Sequence, residues 1–170
     1  MNSTLSLSDT LEVLEMDRDH ATGKAFNMMF MLWRYETTFV AYKRAIELAK
    51  ELVTLCPQGI GTAHIVEVDA VPPSSETRAA FVEYLRLPGL RHYSVTHEGT
   101  GFKAAGVRAI VAAQQALARP RCEHAIFGDI PAAARWHEAQ QRQINRNENA
   151  SKIAECLNGL RAAHRKAFDA

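Results

Sequence analysis

The order of the predicted strands and helices constrains the fold of this chain more than any motif does. Apolar, extended segments typical of β-strands occur at Thr10–Met16, Phe26–Tyr35, Thr62–Val68, His92–His97 and His124–Phe127. Each of the last four of these segments is followed by a helical pattern, in which apolar residues recur every three to four positions. Because strands that alternate with helices form parallel sheets, we expect one α/β domain. Its mixed sheet should have four or five strands, with the first strand antiparallel.

The starts of the four helices carry recognisable capping signals. The helices are predicted to begin near Thr37, Ser74, Gly101 and Pro131. Threonine and serine accept hydrogen bonds from backbone amides at a helix N-cap. Proline suits the first turn, where no amide hydrogen is needed. By contrast, Thr22-Gly23-Lys24 is predicted to form a hairpin turn between the first two strands.

The C-terminal part of the chain has a different character from the rest. We expect the α/β domain to cover residues 1–142, and a polar linker with a C-terminal amphipathic helix to cover residues 143–170. The candidate interface of that helix is one apolar stripe, which contains Ile153, Leu157, Leu160 and Phe168. The stripe covers either the chain's own sheet or a second copy of the chain, and we favour a homodimer slightly.

Charge and composition exclude several classes of protein. The 170 residues carry a formal net charge of +1, which provides no overall field for nucleic acid or an anionic membrane. The longest apolar run, Ala25–Trp33, is too short to span a bilayer, and the first ten residues lack the pattern of a secretory signal. Three scattered cysteines favour reduced thiols. We therefore expect a cytoplasmic protein without membrane insertion or nucleic-acid binding.

Catalytic and metal-binding motifs are missing from the sequence. Seven histidines are present, but no pair has the spacing that places two imidazoles on one side of a strand or helix. Cys122 and His124 are close in sequence, but nothing marks the activating surroundings that a thiolate needs. We therefore assign no catalytic residue, metal or cofactor, and a protein without enzymatic activity is the favoured interpretation.

Four charged residues form a candidate pocket at the carboxyl ends of the third and fourth predicted strands. Glu98 and Asp69 follow these strands, while Arg78 and Arg108 lie on the helices after them. Open α/β sheets bind ligands at this edge. The alternative interpretation is a set of structural salt bridges, which are more common than catalytic pairs.

Two helix starts at the same edge are candidate switch or anion sites. Gly99, Thr100 and Gly101 precede the third helix, where free backbone amides could hold an anion. Ser74 and Ser75 begin the second helix, where a phosphate would be stabilised by the helix dipole. The alternatives are a tight turn with positive φ at the glycines and a plain serine cap.

Three stretches carry a resemblance to a known family, namely Pro72–Arg78, Glu98–Arg108 and Ala134–Trp136. Together with the strand and helix order over about residues 10–142, they resemble the STAS fold of anti-sigma-factor antagonists, and more narrowly a bacterial STAS-like group. Ser74 and Ser75 occupy the place of the serine that is phosphorylated in some members, although Pro72 and Pro73 replace the usual turn. Members act mainly by binding partners, and some bind nucleotides or lipids.

Two functions are therefore expected. The first is a non-enzymatic regulatory or protein-interaction module of STAS type, whose partner is another protein of unknown identity or a second copy of the chain. The alternative is a small-molecule-binding protein or enzyme with a pocket at the carboxyl ends of the third and fourth predicted strands.

Overall fold

The computed structural model describes residues 7–169 and contains six strands and five helices. The strands are β1 (Glu12–Met16), β2 (His20–Ala25), β3 (Met28–Trp33), β4 (Ile60–Val66), β5 (Leu90–Thr96) and β6 (Glu123–Phe127). The helices are α1 (Phe39–Leu55), α2 (Ser75–Leu85), α3 (Gly101–Ala118), α4 (Ile130–Gln143) and α5 (Ala150–Phe168). Among the described residues, none of these helices combines the length and apolarity that crossing a bilayer requires.

All six strands form one mixed sheet in which the spatial order follows the chain, from β1 to β6. The pairs β1–β2 and β2–β3 are antiparallel, whereas β3–β4, β4–β5 and β5–β6 are parallel. The α/β class predicted from the sequence is confirmed. The predicted count of four or five strands is wrong, because the sheet has six strands and the segment predicted as a hairpin turn is itself a strand.

That additional strand is β2, and its composition explains why no apolar pattern marks it. Thr22-Gly23-Lys24 lies inside β2, not in a hairpin turn, and every residue of the strand is buried. Ala21, Gly23 and Ala25 lie along one side of the strand. A Cβ at Gly23 would lie 2.9 Å from a methyl group of Leu11, 3.1 Å from the carbonyl oxygen of Glu12 and 3.3 Å from a methyl group of Leu160 on α5. Small residues on this side therefore leave room for the segment before β1 and for α5.

Two hydrophobic cores lie on opposite faces of the sheet. The first contains Trp33 of β3 together with the buried sides of α1 and α2 and part of α3. The second contains Phe30 and Leu32 of β3 together with α4 and α5. Connections that run in one direction along a parallel sheet place their helices on the same face, which accounts for the grouping of α1 to α3.

Helix α5 closes the second face of the chain's own sheet. Ile153, Leu157 and Leu160 have no exposed surface and belong to the same core as β3, whereas Phe168 is 43% exposed. The stripe predicted as an interface therefore covers its own sheet at three of its four positions. Helix α4 buries Gln141 and ends at Gln143, the first residue of the segment predicted to hold the polar linker.

Candidate functional site

A pocket lies between the sheet and the three helices of the first face, at the carboxyl ends of β4 and β5. Its volume is about 60 Å³, close to the space of two water molecules. The pocket reaches the surface at the connection between β4 and α2, where Val71 is exposed. It is lined mainly by apolar and aromatic side chains, which include Trp33, Tyr42, Val66, Phe81, Val95 and Val111, and by His64 and Tyr93.

The imidazole of His64 provides the most distinctive polar group of the pocket. The indole Nε1 of Trp33 donates a hydrogen bond of 3.2 Å to Nδ1 of His64. Because Nδ1 accepts, the ring proton of neutral His64 lies on Nε2. Nε2 is buried and has no hydrogen-bond partner among the described residues. A buried donor without a partner costs about 1–3 kcal/mol, so this atom requires an explanation.

Aromatic rings hold His64 in place. Tyr42 stacks on Trp33 with ring centroids 4.7 Å apart, and Tyr93 meets His64 edge to face at 5.0 Å. Tyr93 is fully buried, and within residues 7–169 its hydroxyl has no hydrogen-bond partner either. The pocket therefore contains two fixed polar groups, one on β4 and one on β5, that are able to donate hydrogen bonds.

The electrostatics of the pocket favour binding over proton transfer. Burial lowers the pKa of His64 to about 3, and burial raises the pKa values of Tyr42 and Tyr93 well above their usual range. These groups are therefore all neutral at pH 7. A general acid or base works best when its pKa is near the operating pH. Among residues 7–169, no aspartate, glutamate, lysine, arginine or cysteine lines the pocket.

A second buried polar cluster lies on the opposite face, beneath α4. Nδ1 of His92 on β5 is 2.8 Å from Nδ1 of His137 on α4, and Nε2 of His137 is 2.7 Å from the hydroxyl of Ser94. The contact between the two rings requires one nitrogen to donate and the other to accept. Burial lowers the pKa of His92 to about 4, and burial together with the neighbouring His92 lowers the pKa of His137 well below its usual range.

An amide pair extends this cluster toward the β2–β3 turn. Asn27 and Gln141 exchange two hydrogen bonds, with Gln141 Nε2 donating at 2.7 Å and Asn27 Nδ2 donating at 3.2 Å. Asn27 Nδ2 also donates to the carbonyl of Gly59 at 3.0 Å. A Cβ at Gly61 would clash with the ring of His92, so glycine is required for this packing. The amides are satisfied and enclosed, which is typical of a structural cluster.

The four charged residues of the predicted pocket do not lie together. Asp69 lies 3.4 Å from Arg34, and Glu98 lies 2.8 Å from Arg161 on α5. Arg108 lies beside Gly128, after β6. Arg78 forms no ion pair within the described part of the chain. None of the four lines the pocket described above.

Arg161 also contacts the buried carboxylate of Glu67, at 2.7 Å. This arginine joins α5 to the ends of β4 and β5. The charges at this edge therefore support a structural role.

The predicted switch and anion residues occupy the starts of α2 and α3. The Ser74 hydroxyl accepts from the backbone amide of Thr77 at 3.2 Å and caps α2, while Ser75 is exposed in the first turn. Gly99 lies in the connection before α3, and Thr100 is the N-cap of α3 without a side-chain cap bond. Gly101 has φ +73°, the backbone conformation that glycine permits. Ser74 therefore acts as the plain cap, and Gly101 adopts the positive φ of the tight turn, which were the two alternatives to a switch or anion site.

Among residues 7–169, no group of three or more histidine, cysteine, aspartate or glutamate residues could hold a metal ion. All three cysteines are buried free thiols.

Sequence reasoning did not identify the residues that form the pocket. Trp33, His64 and Tyr93 come from three strands and are adjacent only in the folded sheet. The sequence did contain one signal for the cluster beneath α4. Ile130, Ala133, His137 and Gln141 recur at helical spacing, so that the buried side of α4 begins with apolar residues and continues with polar ones.

Comparisons with known proteins identify no relative. The chain matches no protein-family model, no curated protein and no solved structure.

Proposed function

We propose that this protein is a non-enzymatic small-molecule-binding module of STAS type, which holds its ligand in the pocket between the sheet and α1 to α3. The observation that supports this function is the pair of unpartnered polar groups, Nε2–H of His64 and the hydroxyl of Tyr93, among apolar walls. A ligand group that accepts hydrogen bonds would satisfy both donors.

The ligand class follows from charge and size. No cationic side chain lines the pocket, so burying an anionic group would carry a large desolvation penalty. A neutral acceptor, such as a ketone, ester or amide carbonyl, is the better match. The volume of about 60 Å³ accommodates only a short end of the molecule, and the apolar remainder would contact Val71 and Pro72 at the opening.

A titration with small neutral carbonyl compounds tests this function. The probes are 2-hexanone, methyl butyrate and N-methylbutyramide, followed by amide chemical shifts in NMR spectra. We expect shifts at Val66, Ala70, Val71 and Val95. Tyr93→Phe deletes only the unpartnered hydroxyl and should weaken binding by about fivefold to tenfold, the effect of one lost hydrogen bond.

Tyr84→Phe is the matched control. The Tyr84 hydroxyl is equally buried, but Tyr84 does not line the pocket. Its loss should leave affinity unchanged. If none of the three probes shifts the pocket amides, or if the two variants weaken binding equally, the pocket is not the ligand site.

A regulatory or protein-interaction role is our second candidate, and exposed apolar side chains favour it. Phe102 at the start of α3 is 97% exposed and Val40 at the start of α1 is 76% exposed. Both helices start at the edge of the sheet where the pocket opens. Light scattering of the protein and of Phe102→Ser, over a range of concentrations, tests whether a second copy covers this edge. A monomer in both samples argues against the homodimer.

A further inference from the structure

A second cleft lies at the edge of the sheet opposite the pocket. It is formed where α2 ends and β5 begins, next to the end of α3. Its volume is about 560 Å³, within the range of small-molecule sites, about 300–1,000 Å³. Apolar residues and arginines line the cleft together. The apolar ones are Leu85, Leu87, Pro88, Leu90 and Ala118, and the arginines are Arg86, Arg91, Arg119 and Arg121.

The charge of this cleft is strongly one-sided. Four of its ten lining residues are arginines, and none is acidic. Within residues 7–169, none of the four forms an ion pair with a carboxylate. Elsewhere in the chain, Arg34, Arg44 and Arg161 each contact a carboxylate. The cleft therefore gathers uncompensated positive charge in a protein whose formal net charge is only +1.

Two of the arginines are held in position by backbone carbonyl groups. Arg86 donates from Nε to the carbonyl of Ala118 and from Nη2 to that of Leu117, both at 3.1 Å. Arg91 donates from Nε to the carbonyl of Gln58 at 3.0 Å. Since only Nε of Arg91 is used, both of its terminal nitrogens keep their donors for another acceptor.

Gly59 contributes to the placement of Arg91. A Cβ at this position would clash with the side chain of Arg91, which crosses directly over the glycine. The absence of a side chain therefore lets the arginine lie against the backbone and reduces the number of rotamers it can adopt. A binding site gains affinity when its donors are fixed before the ligand arrives.

Helix capping does not account for all four charges. The C-terminal ends of α2 and α3 lie at this edge, and each carries a partial negative charge of about half a unit. Arg86 alone bonds to carbonyl groups of the last turn of α3. Arg91, Arg119 and Arg121 make no side-chain hydrogen bond to either helix end in the described residues. About three positive charges therefore exceed what the helix ends require.

We infer that this arginine cleft binds a small molecule carrying a phosphate or pyrophosphate group. The planar guanidinium group forms paired hydrogen bonds with phosphate oxygens, which makes arginine the preferred residue for such recognition. The apolar residues Leu87, Pro88 and Leu90 would contact the rest of the molecule. The cleft and the pocket lie at opposite edges of the sheet, so this inference does not depend on the proposed function.

Calorimetric titrations of the full chain with inorganic pyrophosphate and with ADP test the inference. Both are measured against a sodium chloride control of equal ionic strength. We expect binding that Arg121→Ala and Arg91→Met each weaken by about tenfold, the effect of losing a charge-assisted hydrogen bond. Arg121 makes no hydrogen bond or ion pair in residues 7–169, so its variant should fold normally. Tighter binding of ADP identifies a nucleotide, and equal binding identifies the phosphate groups alone as the recognised feature.

Arg135→Ala is the matched control, because Arg135 is an exposed arginine on α4 without an ion pair in the described residues. It removes the same charge from a different surface and should leave the affinity unchanged. The inference is overturned if neither probe binds, or if Arg135→Ala weakens binding as much as Arg121→Ala does. The first result would show that the cleft does not bind phosphate groups, and the second would show only general electrostatic attraction to the protein surface.

Discussion

Lowering the pH from about 7.5 to about 5 should reduce the free energy of unfolding by about 6 kcal/mol, because three histidines are buried in neutral form. His64 and His92 have pKa values lowered to about 3 and about 4, and the pKa of His137 is lowered well below its usual range. All three have an ordinary pKa of 6.5 in the unfolded chain. The unfolded state therefore binds more protons, and stability is lost as the pH falls below 6.5.

The magnitude follows from proton linkage. At about pH 5, an unfolded histidine is protonated almost completely, which stabilises the unfolded state by about 2 kcal/mol per residue. The folded state gains almost nothing, since the pKa values of His64 and His92 lie a unit or more below this pH. Three such residues give about 6 kcal/mol. Domains of this size have a total stability of about 5–15 kcal/mol, so acid should come close to unfolding the protein.

Urea denaturation followed by circular dichroism at several pH values measures this effect. His64→Gln removes one of the three titrating groups and should reduce the pH-dependent loss by about a third, whatever its effect at neutral pH. His124→Gln is the control, because His124 is an exposed histidine outside both buried clusters.

Two results would refute this reasoning. The first is a loss of less than about 2 kcal/mol between neutral and acidic pH in the unmodified protein, since that corresponds to one buried histidine at most. The second is a pH dependence in His64→Gln equal to that of the unmodified protein. Either result would mean that the buried rings accept protons within the folded state.

Three further substitutions and one control test the packing. Gln141→Leu leaves the buried side-chain oxygen Oδ1 of Asn27 without its donor and should cost about 1–3 kcal/mol in urea denaturation. Leu160→Ala, on the buried side of α5, should cost about 2–5 kcal/mol, while the control Leu117→Ala, at an exposed position, should change stability little. Ser74→Ala removes the cap of α2 and should lower stability by about 1 kcal/mol. A loss several times larger would indicate that the hydroxyl does more than cap the helix.

Local chemistry explains which parts of the fold could be predicted from the sequence. Helix starts depend on a few neighbouring residues, and Thr38 and Ser74 act as N-caps, while Pro131 lies in the first turn of α4. The parallel strands are apolar because helices cover both of their faces. Strand β2 could not be recognised, since Gly23 is required by the close approach of Leu11, of the backbone of Glu12 and of Leu160 on α5. These neighbours meet the strand only in the folded chain.

The candidate site was less predictable for a related reason. Asp69, Glu98 and the arginines were grouped because they share an edge of the sheet, but an edge does not specify which face a side chain occupies. Arg161 on α5, a helix of the second face, contacts Glu98. His64 and Tyr93 face the first core instead, and no local pattern marks them. Only the register of β4 with β5 brings these two rings together.

The two buried histidine clusters lead to different conclusions, although burial keeps the histidines of both neutral. Beneath α4, both ring nitrogens of His137 have partners, and Asn27 and Gln141 satisfy each other, although Nε2 of His92 has no hydrogen-bond partner within residues 7–169. Such a cluster fixes the position of a helix and leaves a ligand less to gain than two unmet donors would. In the pocket, Nε2 of His64 and the hydroxyl of Tyr93 lack partners among residues 7–169, and the space beside them reaches the surface. Because an unmet hydrogen bond is costly, the pocket is the place where binding a molecule would lower the free energy most.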